Sequence, residues 1–461
     1  MGRTGLSRRA VASTCRRSMS IRSRTAATSR CGSWPSSSPP AIPLRAHTRQ
    51  TNDGIRRLNL VPENSEEGSM KKVVTAAALA AVLAVLATAA WGSTKGSNRS
   101  ATAATADSAL VKCGKTRTIG LLAPFTGPAA SIGINQVHWA NFYKSTYNRT
   151  HKKKIRFVNE DTMLGSANGT AEAVKGAQAL GSNAKVLGVV GPAGSNEVKA
   201  TTGALKGAGL GWVSGSATNT TITLDGTRTG FFFRTVPPDS SQSKSVAAYI
   251  TGTLKIKRVY IIDDQEAYST GLADEVQTLL RAKGVTVGRD GVSQQQSDFS
   301  SIINKIPRNT QLVYLPWQLP PKGQAFGRQM KSLGRAGTKL MGSDGLFDPL
   351  FAGLGNNVYD SFFPLNPADK RVAAFKRIHH ATELFGAPSY VAAQVVTGAI
   401  DRACKNGTAS RAEVRAQIKR TRIAAKASLL GLPVAFDRHG DMIKKPFGIY
   451  HSVKGVFVRV A

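Results

Sequence analysis

From Lys115 onward the chain alternates short β-rich runs with amphipathic helical stretches, and this feature constrains the fold most strongly. A strand, a helix and a further strand at such spacing form a βαβ unit, in which the strands are parallel. Helices then cover both faces of the sheet. We therefore predict an α/β protein built from doubly wound parallel sheets.

The predicted elements form two successive series, which indicates two sheets and therefore two lobes. The first series has strands at Thr118–Ala123, Ile155–Glu160, Val186–Gly191, Gly211–Ser214 and Phe231–Thr235, with helices near 133–147, 167–181, 195–207 and 240–254. The second has strands at Arg258–Asp263, Val285–Arg289, Leu312–Leu315 and Lys339–Gly342, with helices near 269–282, 298–306 and 324–334. Helices are expected again at 369–385, 388–405 and 410–420, before two final strands, Phe447–Ser452 and Val456–Val460. Open sheets bind ligands at the carboxyl ends of their strands, so the cleft between the lobes is the expected site for a small solute.

The chain is strongly basic, with 62 Lys and Arg against 27 Asp and Glu. Its first 52 residues contain ten Arg, no Lys and no acidic residue, and such a stretch cannot bury enough apolar surface to fold. We interpret residues 1–69 as a nucleic-acid arm, a transit peptide or, by our preferred hypothesis, an untranslated leader. The codons of Glu66, Glu67 and Gly68 can contain a ribosome-binding sequence, which favours translation from Met70. Because the remaining chain is still basic, we expect a solvated surface facing an anionic envelope rather than nucleic acid.

Residues 70–91 have the pattern of an export signal peptide. Lys71 and Lys72 precede the apolar run Val73–Leu86, and Ala87-Thr88-Ala89 supplies small residues for cleavage. The alternative is an uncleaved membrane anchor over Val73–Ala90. No Cys follows the run, so a lipid anchor is not expected. Residues 92–114 are interpreted as a flexible spacer.

Two of the four cysteines, Cys113 and Cys404, lie in the predicted exported part. An even pair in an oxidising compartment favours one disulfide. The alternative is two unrelated thiols.

Six motifs occur in an order that resembles the branched-chain amino-acid-binding proteins, the type I solute-binding proteins of ABC transporters. They are Ile119–Gly127, Gly188–Ser195, Val213–Thr218, Tyr268–Ala273, Asp298-Phe299 and Phe436–Asp441. The resemblance extends from about Thr116 to Val460. It implies three chain crossings between the lobes, near 236–240, 364–368 and 432–436. Lobe one would then comprise 115–237 and 367–432, and lobe two 238–366 and 433–461.

The same resemblance implies which residues bind the ligand. Ser195 would hold the α-carboxylate of a free amino acid, and Ser216 would offer a backbone carbonyl to its ammonium. Thr218 would contact both charged groups, and Asp344 would pair the ammonium from lobe two. A zwitterion removed from water needs a partner for each charge, which this set provides. Without the family, Ser195 before a helix is an ordinary N-cap and Asp344 before Gly345 is an ordinary turn residue.

This sequence departs from its relatives around the ligand's side chain. Ile132 replaces an aromatic residue that many relatives place over the ligand. Trp317 or Gln318 falls near the position of a family tyrosine, and Trp317 is expected either to cover an apolar side chain or to pack in the hinge. Tyr268 is a candidate residue of the cavity rim. These changes affect the expected side-chain specificity more than the expected amino-acid head group.

Other classes of protein are less consistent with the sequence. No catalytic or cofactor motif is present, and the adjacent His379 and His380 cannot face one metal together, so we expect neither an enzyme nor a metal site. A lac-type repressor needs a helix-turn-helix where this chain has the export signal. The same fold binding a short amide, urea or an aromatic acid remains open, as does a membrane-tethered sensor. The expected partners are an amino acid and the permease subunits of an ABC transporter.

Overall fold

The computed structural model describes residues 108–363 and 365–461, which form two lobes around two separate main sheets. The leader (1–69), the export signal (70–91) and most of the spacer lie outside the described residues. Within the described part of the chain, no helix is both long and apolar enough to span a bilayer.

Lobe one is built on a five-stranded parallel sheet in the order β3-β2-β4-β5-β6. After the short strand β1 (Val111–Lys112), its strands are β2 (Thr116–Ala123), β3 (Lys154–Asp161), β4 (Val186–Val190), β5 (Trp212–Ser214) and β6 (Phe232–Arg234). The helices between them are α1 (Ala130–Thr150), α2 (Gly169–Ser182), α3 (Ser195–Gly207) and α4 (Thr221–Leu224). The central strands β2 and β4 are buried almost throughout, as parallel strands covered on both faces must be.

Lobe two contains a seven-stranded sheet in the order β14-β13-β11-β10-β9-β7-β8. Its strands are β7 (Arg258–Asp263), β8 (Thr286–Gly291), β9 (Leu312–Leu315), β10 (Lys339–Gly342), β11 (Val358–Phe362), β13 (Gly448–Val453) and β14 (Val456–Arg459). The first five are parallel, whereas β13 pairs antiparallel with β11, and β14 pairs antiparallel with β13. Its helices are α5 (Asp239–Ala248), which continues as a π-helical turn, α6 (Ala267–Ala282), α7 (Ser300–Lys305), α8 (Pro320–Ser332) and α9 (Pro349–Ala352).

Three helices that follow β11 return to lobe one: α10 (Lys370–His379), α11 (Ala387–Ala403) and α12 (Arg411–Lys419). The chain therefore passes three times between the lobes, which confirms the predicted α/β architecture of two doubly wound lobes. The third passage lies later than predicted. Residues 433–442 stay with lobe one, because Val434, Phe436 and Met442 are buried in its core.

Two of the predicted elements differ from the structure, and the strands β1, β11 and β12 (Thr408–Ala409) were not predicted. The helix expected at 369–385 ends at His379, because His380 adopts a left-handed backbone conformation with φ of 59°. Strand β11 was missed because it contains Asp360 and Ser361, two polar residues that are nevertheless buried, so the sequence lacks an apolar run there. The spacer predicted to be flexible ends in β1, which pairs with the short strand β12 (Thr408–Ala409).

A disulfide joins Cys113 to Cys404, beside the β1–β12 pair, with an S–S distance of 2.06 Å. The two cysteines are 291 residues apart in the sequence. The bond therefore closes a loop that contains most of the fold, and it fixes the start of lobe one to the end of α11.

We expect replacement of both Cys113 and Cys404 by Ser to lower the free energy of unfolding by about 2–4 kcal/mol, because the open unfolded chain gains conformational entropy. Urea denaturation of the full chain measures this change. Reductant should lower the stability of the wild type and leave that of the double variant unchanged. Equal sensitivity of both proteins to reductant would contradict the structural role of this bond.

Candidate functional site

A narrow cavity with about 20 Å³ of free volume lies between the two lobes and is lined by residues from both. Lobe one contributes Ile132, Leu164, Ala193, Gly194, Ser195, Ser216 and Phe385, and lobe two contributes Tyr268, Gln318, Asp344 and Gly345. Such a volume holds about one water molecule, so the two lobes lie close together here. Six of the eight residues predicted to bind the ligand therefore line one cavity.

The lobe-one side of the cavity is formed at the beginning of α3. Gly194 precedes the helix, and its N–H donates to the carboxyl group of Glu197 at 2.7 Å. Ser195, the first residue of α3, is buried, and its hydroxyl accepts a hydrogen bond from the Asn219 N–H at 3.2 Å. Unpaired N–H groups and the helix dipole make such a terminus favourable for a carboxylate. This side of the cavity is therefore suited to an anionic group.

The loop after β5 lies beside the beginning of α3. The Ser216 hydroxyl donates to the Ala193 carbonyl at 2.7 Å and accepts from the Gln136 amide at 2.6 Å. Thr218 is also fully buried, but it does not line the cavity, and its carbonyl accepts a hydrogen bond from the Asp239 N–H at 2.8 Å. The structure thus brings Ser216 to the cavity and turns Thr218 towards the first chain crossing.

On the lobe-two side, Asp344 follows β10 and begins a single 3-10 turn, Asp344–Leu346. The Tyr268 hydroxyl donates a hydrogen bond to the Asp344 carboxylate at 2.7 Å and lies 2.6 Å from the Ser343 hydroxyl. Asp344 is only 2% exposed. Burial raises the pKa of Asp344 to about 6, although the hydrogen bond from Tyr268 partly opposes the shift. A cation in the cavity would favour the ionised form of Asp344 and so lower its pKa again.

Two more carboxyl groups are buried near Asp344, those of Asp239 and Asp360. Neither has a hydrogen-bond partner of normal geometry among the described residues. Burial raises the pKa of each well above its ordinary value, and the charge of Asp344 raises it further. The interior of lobe two behind the cavity therefore favours positive charge and opposes negative charge.

Trp317 occupies neither of its two predicted positions. Its ring packs in the core of lobe two between Phe299 and Phe326, with ring centroids 5.4 Å from each. The indole N–H donates to the Ile262 carbonyl at 2.7 Å, which holds the ring inside the lobe. The adjacent Gln318 lines the cavity instead.

The apolar part of the cavity wall includes two residues that sequence reasoning missed. Leu164 lies in the loop after β3, and Phe385 lies in the 3-10 turn Leu384–Gly386 between α10 and α11. With Ile132 they provide apolar surface beside the polar groups. No local signal marks Leu164 or Phe385, because each reaches the cavity only through the packing of loops far apart in the sequence.

We expect Asp344→Asn to stabilise the ligand-free protein above about pH 6. Because the pKa of Asp344 is raised in the folded state, this group costs no stability below its unfolded pKa near 4. Above about pH 6 it is ionised in both states and lowers the free energy of unfolding by the full amount. The amide removes that cost, which is about 3 kcal/mol at most. Urea denaturation between pH 4 and pH 8 measures it, with the difference between variant and wild type disappearing towards pH 4.

Asp298→Asn is the control, because Asp298 is exposed and its pKa is lowered by hydrogen bonds from Ser300. This variant should show no gain at neutral pH. A pH-independent effect of Asp344→Asn would contradict the assignment of a raised pKa to Asp344.

The architecture and the cavity define a class of two-lobed α/β proteins that enclose a small solute between their lobes. A model of the periplasmic binding protein family matches residues 116–454. The chain belongs to this family.

Individual relatives agree with that assignment. A Leu/Ile/Val-binding protein of Rhizobium johnstonii is 29% identical over 356 residues, which cover 74% of this chain and 93% of the relative. A solved leucine-binding protein from Thermotoga maritima has a TM-score of 0.67 at 21% identity, covering 75% of this chain and 98% of its own. A solute-binding protein of an ABC transporter from R. palustris, solved with benzoate, has a TM-score of 0.66 at 17% identity, covering 75% and 96%. At these identities the two structures show the fold alone.

Proposed function

We propose that this chain binds a free amino acid with an apolar side chain between its lobes and delivers it to an ABC transporter in the membrane. The observation that carries the proposal is the pairing of opposite preferences in one cavity. Ser195 at the beginning of α3 suits a carboxylate, and Asp344 on the opposite lobe suits an ammonium group.

The apolar wall of the cavity indicates which side chain the amino acid has. Ile132, Leu164 and Phe385 can contact a hydrocarbon side chain. A branched-chain amino acid has such a side chain. The Leu/Ile/Val-binding relative supports the same ligand class.

Binding is coupled to closure because the two charged groups of the ligand contact different lobes. Only a closed arrangement lets Ser195 and Asp344 act on one molecule, so the ligand stabilises that arrangement by its differential affinity. The matching family and the Leu/Ile/Val-binding relative are both binding proteins, which supports a binding role rather than a catalytic one.

Export is part of the proposal. The signal-like segment 70–91 would direct the chain to the periplasm or the cell envelope, where it meets the permease subunits of its transporter. The alternative is a membrane-tethered sensor, if the apolar segment is retained as an anchor. Size analysis of the processed protein, compared with the full-length precursor, distinguishes the two.

A different ligand class is the second candidate, because a neighbour of the same fold was solved with benzoate. An aromatic acid, a short amide or urea would fit the fold equally well. None of these carries an ammonium group, so each would leave Asp344 buried without a cation. The charge distribution therefore favours an amino acid.

We expect isothermal titration of the full chain to show binding of L-leucine, L-isoleucine or L-valine, and much weaker binding of 4-methylpentanoate, which lacks the ammonium group. Asp344→Asn should weaken amino-acid binding roughly 100-fold, because removing one partner of a buried charged pair costs about 2–5 kcal/mol. In this variant, the preference for the amino acid over 4-methylpentanoate should largely disappear.

Asp264→Asn is the matched control for this experiment. Asp264 is also buried in lobe two, and burial raises its pKa to about 7, but it does not line the cavity. The Asp264→Asn variant should bind the amino acid with nearly wild-type affinity. Tight binding of benzoate or urea with no binding of amino acids would refute the proposed ligand, as would unchanged affinity in Asp344→Asn.

A further inference from the structure

Three side chains with metal-binding groups converge on lobe one, outside the cavity. They are His138 from α1, His379 at the end of α10 and Glu383 from the following segment. One donor atom from each lies within 4.8 Å of the other two. His138 Nδ1 is 2.8 Å from one Glu383 carboxylate oxygen and 3.1 Å from the other.

The fold holds these groups in place from three sides. The ring of His379 stacks on Phe375 with a centroid distance of 4.2 Å, and on His138 at 4.5 Å. Glu383 has a left-handed backbone with φ of 41°, a conformation that costs a non-glycine residue about 1–2 kcal/mol. The Trp139 indole N–H donates to the Glu383 carbonyl at 2.8 Å and stabilises that conformation. The carboxylate is thereby directed towards the two imidazoles.

We propose that His138, His379 and Glu383 form a binding site for a divalent transition-metal ion of the zinc class. Two imidazole nitrogens and one carboxylate oxygen are a usual protein ligand set for Zn²⁺, with a solvent molecule as the fourth ligand. Bond lengths of about 2.0–2.2 Å require donor separations near 3.3 Å in a tetrahedral complex. All three residues are half-buried, so small side-chain rotations can close the present separation.

An ordinary ion pair explains only part of this arrangement. Glu383 and His138 alone would form such a pair, and His379 would add nothing to it. Two stacked imidazoles beside one carboxylate also repel each other if both are protonated, whereas two neutral imidazoles can share a cation. His380 is exposed and lies outside the cluster, so the sequence neighbour of His379 is not a ligand.

The bound ion would connect α1 to the segment 380–386. Ile132 on α1 and Phe385 in that segment both line the cavity between the lobes. Metal binding would therefore fix the lobe-one wall of the cavity. The metal site does not depend on the identity of the solute, and it can be tested without one.

The test is titration of the untagged, chelator-treated full chain with ZnCl₂ by isothermal calorimetry. We expect one ion per chain with micromolar or tighter affinity, and an increase in melting temperature with Zn²⁺ concentration. Replacement of Zn²⁺ by Co²⁺ should give the visible absorption of a four-coordinate ion. His379→Asn and Glu383→Gln should each weaken Zn²⁺ binding by more than 100-fold while the metal-free melting temperature stays near that of the wild type.

His380→Asn is the matched control, because it removes the adjacent exposed histidine. It should bind Zn²⁺ with wild-type affinity. No stoichiometric binding, or binding that survives His379→Asn and Glu383→Gln but is lost in His380→Asn, would overturn the proposed site. A failure of amino-acid binding with intact Zn²⁺ binding would refute the proposed function and leave the metal site standing.

Discussion

The arrangement of the ligand-facing loop depends on Arg234, the last residue of β6. Its guanidinium group is fully buried and donates to the Asp441 carboxylate at 2.7 Å, to the Thr223 hydroxyl at 2.9 Å and to the carbonyls of Ala217 and Asn219 at 3.2 and 2.9 Å. One side chain thus joins the edge of the lobe-one sheet, the loop that contains Ser216 and the segment before the third crossing. Breaking such a pair typically costs about 3–5 kcal/mol, because it leaves a buried charge without a partner.

Lobe two differs beside the cavity, because three of its buried carboxyl groups form no ion pair with any residue that the structure describes. Asp239, Asp344 and Asp360 are all buried, and burial raises the pKa of each. If the proposed function is correct, these carboxyl groups would determine the orientation of a dipolar ligand. Its negative end would lie at the beginning of α3 and its positive end at the carboxyl groups.

Much of the fold was predictable, because the buried strands of parallel sheets are apolar runs separated by helical periodicity. Strand β11 escaped prediction since Asp360 and Ser361 interrupt its apolar pattern. For the cavity, motif order selected Ser195, Ser216, Tyr268 and Asp344, which the fold brings to one cavity although Tyr268 and Asp344 are 76 residues apart. Sequence could not show that Trp317 turns into the core, nor that Phe385 reaches the cavity. His138 and Glu383 are 245 residues apart, so their contact is visible only in the folded chain.

The disulfide has a mechanical consequence for the whole molecule. Cys113 and Cys404 both belong to lobe one, and strands β1 and β12 pair beside them. A force transmitted along the polypeptide from before residue 108 would therefore reach lobe one at this disulfide. Opening and closing of the two lobes would then be independent of any tension on the polypeptide before residue 108.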